Sequence, residues 1–309
     1  MKAALVVGVA LAGCGKGGGA AGGGGAAGGG DDINMLPADS DVVIGMNLAQ
    51  IVKSPLWTSM VQPLMMKGEG GKKMQDFKDK CGFDPMSSLT SIVAGFKIGA
   101  DGKASGIVVI HGLDKTKSLA CLDKQKAELE KDGSKFTKNG DIVSIVDDKG
   151  EGGYLTWVND TTTVMSMGDA PSEAALKTAT AGKSGLSTSA SFTGIYSKLN
   201  KGDSIWGLAN GASPAIAKAF APVGAKPKAV YGSLNITDGL TMDIRLKLDS
   251  ADQASSLAGL IKGQADQAKM FVDKLDVSND KDELKVNVAM SAQKIDSLKG
   301  MMGGMLGGQ

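Results

Sequence analysis

Twice along this chain the same order of signals recurs, and that recurrence limits the fold more than any single motif. An apolar run closes in a tight turn, Ile98-Gly-Ala-Asp101-Gly102 in one case and Ile236-Thr-Asp238-Gly239 in the other, and a second apolar run follows. Each second run leads into Leu-Asp (Leu113-Asp114 and Leu248-Asp249), then a helical stretch carrying Leu122 or Leu257. Later, Thr163-Val-Met-Ser166 precedes a helical stretch with Leu176-Lys177, and Val288-Ala-Met-Ser291 precedes one with Leu298-Lys299. Asp-Gly turns between apolar runs are hairpin signals, and an acidic residue ahead of a helical stretch can cap it. The repeat predicts an α+β fold of two tandem units on antiparallel sheets. Each unit reads β-α-β-β-α-β, the order of a ferredoxin-like unit, with helices packed on one face. A single continuous sheet made by pairing the units' edges is a variant of the same plan.

The local patterns fill in this plan. Val42, Ile44, Met46 and Leu48 alternate, as a strand requires. Residues 51–66 read as helical around Pro55, and 70–81 as a helix stopped by Gly82. Further strands are expected near 91–99, 106–112, 141–147, 153–158, 162–167 and 203–209, with helices near 172–181 and 191–200. Ser213-Pro214 should open a helix to Phe220. In 240–248, Met242, Ile244, Leu246 and Leu248 alternate with Asp243, Arg245 and Lys247, so one side of that sheet should face water. Ser250-Ala-Asp-Gln253 has the form of a capping box. It opens a stripe of apolar positions, Ala254, Leu257, Ile261, Ala265, Ala268, Val272 and Leu275, at helical spacing. Residues 284–290 read as a strand and 295–302 as a closing helix.

The first thirty residues are of a different kind. Lys2 is followed by the uncharged stretch Ala3–Ala12, a secretory-signal pattern too short for a spanning helix of about 20 residues. It ends Leu11-Ala12-Gly13-Cys14, which resembles the lipobox of bacterial lipoproteins. The resemblance implies cleavage before Cys14, a diacylglycerol on its sulfur and a covalent lipid link to a membrane, each buried CH₂ contributing about 0.8 kcal/mol. Gly15, where that class has Asp for inner-membrane retention, implies the outer membrane. From Gly15 to Gly30 only Lys16 is charged and nearly all else is Gly or Ala. Such a tether is expected to stay disordered, with a root-mean-square reach of roughly 20–25 Å. The division expected is therefore a signal peptide over 1–13, the lipidated cysteine and tether over 14–34, a first α+β unit with an extra hairpin over 35–201, and a second over 202–309 ending in a Gly/Met tail. Lipobox, tether, Leu36-Pro-Ala-Asp39-Ser-Asp-Val42 entering the first strand and tandem α+β units together resemble uncharacterised lipoproteins of Gram-negative bacteria. That likeness implies a place in the cell envelope and no particular activity.

Composition narrows function by exclusion. Lys and Arg number 34 against 33 Asp and Glu, so nothing steers the chain to nucleic acid. Arg245 is the only arginine, which weakens any polyanion-recognition reading. Aromatic residues make up 4%, too few for stacking platforms. With Cys14 set aside, Cys81 and Cys121 form an even pair in a compartment that permits disulfides, and they are expected to be bonded. Two buried free thiols are the alternative.

His111 is the only histidine and, at the end of Ile107-Val-Val-Ile110, reads as structural rather than as an acid–base group. One histidine and a paired cysteine set leave no zinc site of the usual types. Gly202-Asp203-Ser204-Ile205 superficially resembles the nucleophile block of GDSL hydrolases, but no histidine follows it to serve as base. The methionine clusters Met65-Met66 and Met301-Met302 suit Cu(I) in principle and core filling more readily. No catalytic residue, cofactor or metal is expected. The expected function is a non-enzymatic binding or scaffolding module, its partners the membrane through Cys14 and an envelope protein. A carrier holding an apolar ligand between the long helix and its sheet is the alternative; a hydrolase comes last.

Overall fold

A computed structural model describes residues 32–66, 68–99, 101–182, 185–268 and 270–298. The described residues form twelve strands: β1 (Val42–Met46), β2 (Ser91–Ile98), β3 (Ala104–His111), β4 (Ser134–Asn139), β5 (Ile142–Asp147), β6 (Gly152–Trp157), β7 (Thr162–Gly168), β8 (Ile205–Asn210), β9 (Ala229–Ile236), β10 (Leu240–Lys247), β11 (Lys274–Asp280) and β12 (Glu283–Met290). Six helices matter to the argument: α1 (Glu69–Cys81), α2 (Lys115–Lys131), α3 (Glu173–Thr180), α4 (Ala190–Tyr196), α5 (Pro214–Phe220) and α6 (Ala251–Ala268). All twelve strands form one sheet in the order β11-β12-β10-β9-β8-β1-β2-β3-β7-β6-β5-β4, and each neighbouring pair is antiparallel.

The halves meet where β1 pairs with β8, Val42–Met46 against Ile205–Ala209. Outward from that seam the halves run β1-β2-β3-β7-β6 and β8-β9-β10-β12-β11, the same order twice. The first half adds the hairpin β4–β5 outside β6. Each half holds one split β-α-β: β3 and β6 flank β7, and β10 and β11 flank β12. A ferredoxin-like unit interleaves two such motifs. Here the other helical connections, β1 to β2 and β8 to β9, join adjacent antiparallel strands, so the α+β class and the antiparallel sheet are present without that unit's strand order.

The expectation of helices on one face needs correcting. Cross-strand register gives a row Val143-Leu155-Met165-Val108-Ala94-Ile44-Gly207-Gly232-Ile244-Val286-Val277 on the front face. Met74 of α1 and Leu129 of α2 pack over its first half, and Ala254 and Ala258 of α6 over its second. The adjacent row on the back face reads Thr156-Val164-Val109-Val93-Gly45-Trp206-Ser233-Asp243-Asn287-Asp276. Leu176 and Ala179 of α3, Phe192 of α4 and Ile33 and Leu36 cover its apolar part. The physical reason is in β2 and β3: Ile92-Val93-Ala94 and Ile107-Val108-Val109-Ile110 are unbroken apolar runs, so both faces must be covered. Beyond Trp206 the row turns polar and no helix is needed.

Trp206 is fully buried at the seam and lies directly opposite Gly45. A Cβ at position 45 would come 2.1 Å from Trp206 Cε2, so only glycine allows the indole to lie flat across β1.

Two further readings change. The apolar stripe expected to run helically to Leu275 stops earlier, since α6 ends at Ala268 and Leu275 and Val277 belong to β11. Residues 134–139, whose sequence gives no clear strand alternation, form β4, which pairs with β5. Residues 292–298 are helical; the expected remainder of that closing helix, the Gly/Met tail and residues 1–31 lie outside the described residues.

Candidate functional site

The uncovered part of the back face is built by alternation. In β9, β10, β12 and β11 the residues facing backward are Tyr231 and Ser233; Thr241, Asp243, Arg245 and Lys247; Glu283, Lys285 and Asn287; and Lys274, Asp276, Ser278 and Asp280. Their front-facing neighbours, such as Ile244, Leu246, Val286 and Val277, pack under α6, and that anchors the register.

The polar side chains largely neutralise one another. Arg245 Nη2 donates to Asp243 Oδ2 at 2.7 Å and its Nε to Oδ1 at 3.0 Å. Ser233 donates to Asp203 Oδ2 at 2.5 Å, and Asn200 Nδ2 to Asp203 Oδ1 at 2.7 Å. Lys247 pairs with Asp282 at 2.6 Å, and Lys285 with Asp280 at 3.0 Å.

The best-buried charge on this surface is Glu283. Lys198, just beyond α4, hydrogen-bonds its carboxylate, and Lys247 approaches to 4.0 Å. Burial pushes the Glu283 carboxyl upward, but Lys198, the adjacent Tyr231 hydroxyl and the charge of Lys247 together outweigh it and hold the group below its ordinary value. Beside it, the Tyr231 hydroxyl is buried without a hydrogen bond of normal geometry. Burial, then the close contact with the Glu283 carboxylate and its charge, raises its pKa far above the usual phenol range.

At the other end of this surface lies a shallow depression of about 280 Å³, lined by Asp203, Thr241, Asp243, Lys274, Asn287 and Ala289 with the edges of Met242 and Val288. Thr241, Lys274 and Asn287 make no side-chain hydrogen bond among the described residues, so these three can meet a ligand. A hydroxyl, an amide and an ammonium suit polar recognition. They do not supply a nucleophile with a base and an orienting group.

The sequence-derived site residues fall elsewhere. Cys14 lies outside the described residues. Cys81 and Cys121 form a disulfide, Cα–Cα 4.8 Å, tying the end of α1 to α2. Gln125 Nε2 lies 3.2 and 3.4 Å from the two sulfurs. His111 sits on the back face at the end of β3, its Nε2 3.0 Å from Asp32 Oδ2 and its Nδ1 3.1 Å from Thr162 Oγ1. Asp, His and a hydroxyl in line have the order of a hydrolytic triad, but Thr162 is 5% exposed and Asp32 3%. The trio fastens the segment at 32–36 to the sheet. Ser204 is fully buried, and its hydroxyl accepts from the Ile236 N–H at 2.8 Å, which leaves no exposed nucleophile there. Among the described residues no three His, Cys, Asp or Glu side chains are grouped to hold a metal, and no helix is long and apolar enough to cross a membrane.

Sequence reasoning found the wet side through Asp243, Arg245 and Lys247 but missed Lys198, Asp203, Tyr231 and Glu283. The alternation Glu283-x-Lys285-x-Asn287 carried a signal for the last of these. Lys198 and Asp203 come from loops, whose contacts no periodicity encodes. No protein-family model, no curated protein and no solved structure matches the chain.

Proposed function

We propose that this chain is a lipid-anchored lipoprotein of the bacterial envelope, held through Cys14 on the outer membrane. Its body is a non-enzymatic module that binds or scaffolds another envelope component through the polar back face of β10–β12, which no helix covers among the described residues. The observation that carries the reading is the change along one sheet face, apolar and helix-covered up to Trp206, polar and, among the described residues, without a covering helix over β10–β12. Solvated sheet faces are common, but this one adjoins a depression with three uncommitted polar groups. The root of the chain's N-terminal segment, Asp32–Leu36, packs on the same face. The two halves are read as copies of one duplicated α+β unit of ferredoxin-like ancestry, each retaining one split β-α-β.

The test is intact mass of chain extracted from membranes, paired with affinity capture. A mass of residues 14–309 plus acyl chains, lost in Cys14→Ser, supports the anchor; an unprocessed, unacylated chain overturns it. A partner captured by the native chain and not by Lys274→Ala/Asn287→Ala supports the binding face. Equal capture by that variant removes the face from the reading.

The alternative, a carrier with an apolar ligand between α6 and the sheet, has less support. Leu246, Leu248, Ala254, Ala258, Val277 and Leu284 fill that interface. What favours it is the exposure of Leu260 in the middle of α6 and of Met270 and Phe271 just past its end.

A further inference from the structure

The two halves differ at one place that bears on assembly. In the first half β6, outside β7, is paired on its outer side by β5. Its counterpart β11 pairs with β12 only and ends the sheet. An edge strand exposes a row of unpaired backbone N–H and C=O groups that can take up another strand. The molecule already joins its own halves edge to edge, through the antiparallel pairing of β1 with β8.

We propose that β11 pairs antiparallel with β11 of a second copy of this chain, making a two-fold dimer with one continuous sheet. Charge complementarity selects the partner. With Val277 opposite Val277 of the partner subunit, all seven residues of β11 are matched, and Lys274 faces Asp280 of the partner subunit at both ends. Asp276 then faces the partner subunit's Ser278, and Leu275 faces the partner subunit's Asn279. Lys274, Asp276 and Asp280 are exposed; Asp280 already meets Lys285 of its own chain at 3.0 Å through Oδ2, so Lys274 of the partner subunit would join that pair from the open edge. Shifting the register by two residues puts either Asp276 against its own copy or Asp276 against Asp280, and like charges directly opposite are unfavourable. The other free edge, β4, offers Lys135 and Lys138 without an acidic residue, so it repels its own copy.

A two-fold axis between antiparallel strands stands perpendicular to the sheet and keeps each face on its own side. Both segments at 32–36 then lie on the same face of the dimer. Two anchors of the kind proposed above would reach one membrane, although the pairing itself does not depend on lipidation.

The experiment is zero-length carbodiimide cross-linking of the full chain in mild detergent, with light scattering for mass. Within one β11 strand Lys274 and Asp280 lie about 20 Å apart, so an isopeptide link between them forms only between copies. The expected result is a dimer that yields this link. Lys274→Asp and Asp280→Lys, each alone, should weaken it about tenfold or more, and the two together should restore it. Unchanged circular dichroism of the double variant shows that the strand still folds. A monomer at every concentration reached overturns the proposal, as does a dimer indifferent to the single reversals. Cross-links from β11 to a foreign peptide overturn it too, by giving the edge to another protein.

Discussion

Gly45→Ala tests whether the two halves are joined by packing at the seam or only by the chain between them. The added methyl would sit 2.1, 2.3 and 2.4 Å from Cε2, Cζ2 and Nε1 of Trp206. Carbon atoms in contact rest about 3.5 Å apart, so the indole must retreat by about 1.4 Å. It has little room to do so, being fully buried with Tyr196 edge-on at 5.4 Å. Overpacking of this kind costs about 1–3 kcal/mol, and expelling the ring instead forfeits a large buried side chain at about 3–5 kcal/mol. An enclosed ring places the expected loss near the top of the first range, about 3 kcal/mol.

Urea denaturation of the full chain reads this loss, and a double-mutant cycle with Trp206→Leu isolates its cause. Trp206→Leu alone leaves a cavity and should cost about 3–5 kcal/mol. In the double variant the methyl meets no indole, so stability should match that of Trp206→Leu alone. If the two losses add within about 0.5 kcal/mol, the clash is not the cause and the account of the seam is wrong.

Three other outcomes follow from single features. Opening the Cys81–Cys121 bond, which spans 40 residues, should cost about 4 kcal/mol by loop entropy. Calorimetry with and without reductant should show a drop in melting temperature of about 10 °C, and Cys81→Ser/Cys121→Ser should not respond to reductant. Tyr231→Phe removes a buried hydroxyl that lacks a normal hydrogen bond; chemical denaturation should show a gain of up to about 1 kcal/mol, and a loss larger than that would refute the geometry. Glu283 has a folded pKa below its reference of 4.5, so its contribution is present above that pH and is lost as pH falls through the lower, folded value. Thermal melts between pH 3 and 6 should therefore show a shallower acid decline in Glu283→Gln than in the native chain, and equal slopes would refute the assignment.

Much of the scaffold was legible because local chemistry and tertiary packing agree. Asp114 accepts from the Lys117 N–H at 2.8 Å and Ser172 from the Ala175 N–H at 3.0 Å, each at a helix start read from sequence. Ser213 departs from this: Pro214 opens α5 as expected, but the Ser213 hydroxyl makes no capping bond. The capping box at α6 is shifted, Gln253 accepting from the Asp249 N–H while its own N–H donates to Ser250. The missed strands have physical causes. β4, Ser-Lys-Phe-Thr-Lys-Asn, buries mainly Ser134 and Phe136, too weak an alternation to stand out. In β11, Leu275 continues the three-to-four spacing of α6 by coincidence, and only Val277 two residues later reveals the change of period.

The same limit governed the candidate site. Alternation in β1 placed Val42, Ile44 and Met46 on one face, yet Val43 and Gly45 on the other are the more buried. A strand pattern reports which residues share a face and is silent on what covers it. Cover comes from elements distant in sequence: α3 and α4 over the apolar back of β2, β3 and β7, and among the described residues no helix over the polar back of β10 and β12, where Lys198 reaches Glu283. That contrast is nonetheless written in the residues, as unbroken Ile107-Val-Val-Ile110 against alternating Met242-Asp-Ile-Arg-Leu246. An unbroken run demands burial on both sides, and an alternating one needs it on one side only. The site therefore lies where the runs give way to alternation, and its boundary, the Gly45–Trp206 pair, is also where one half of the molecule meets the other.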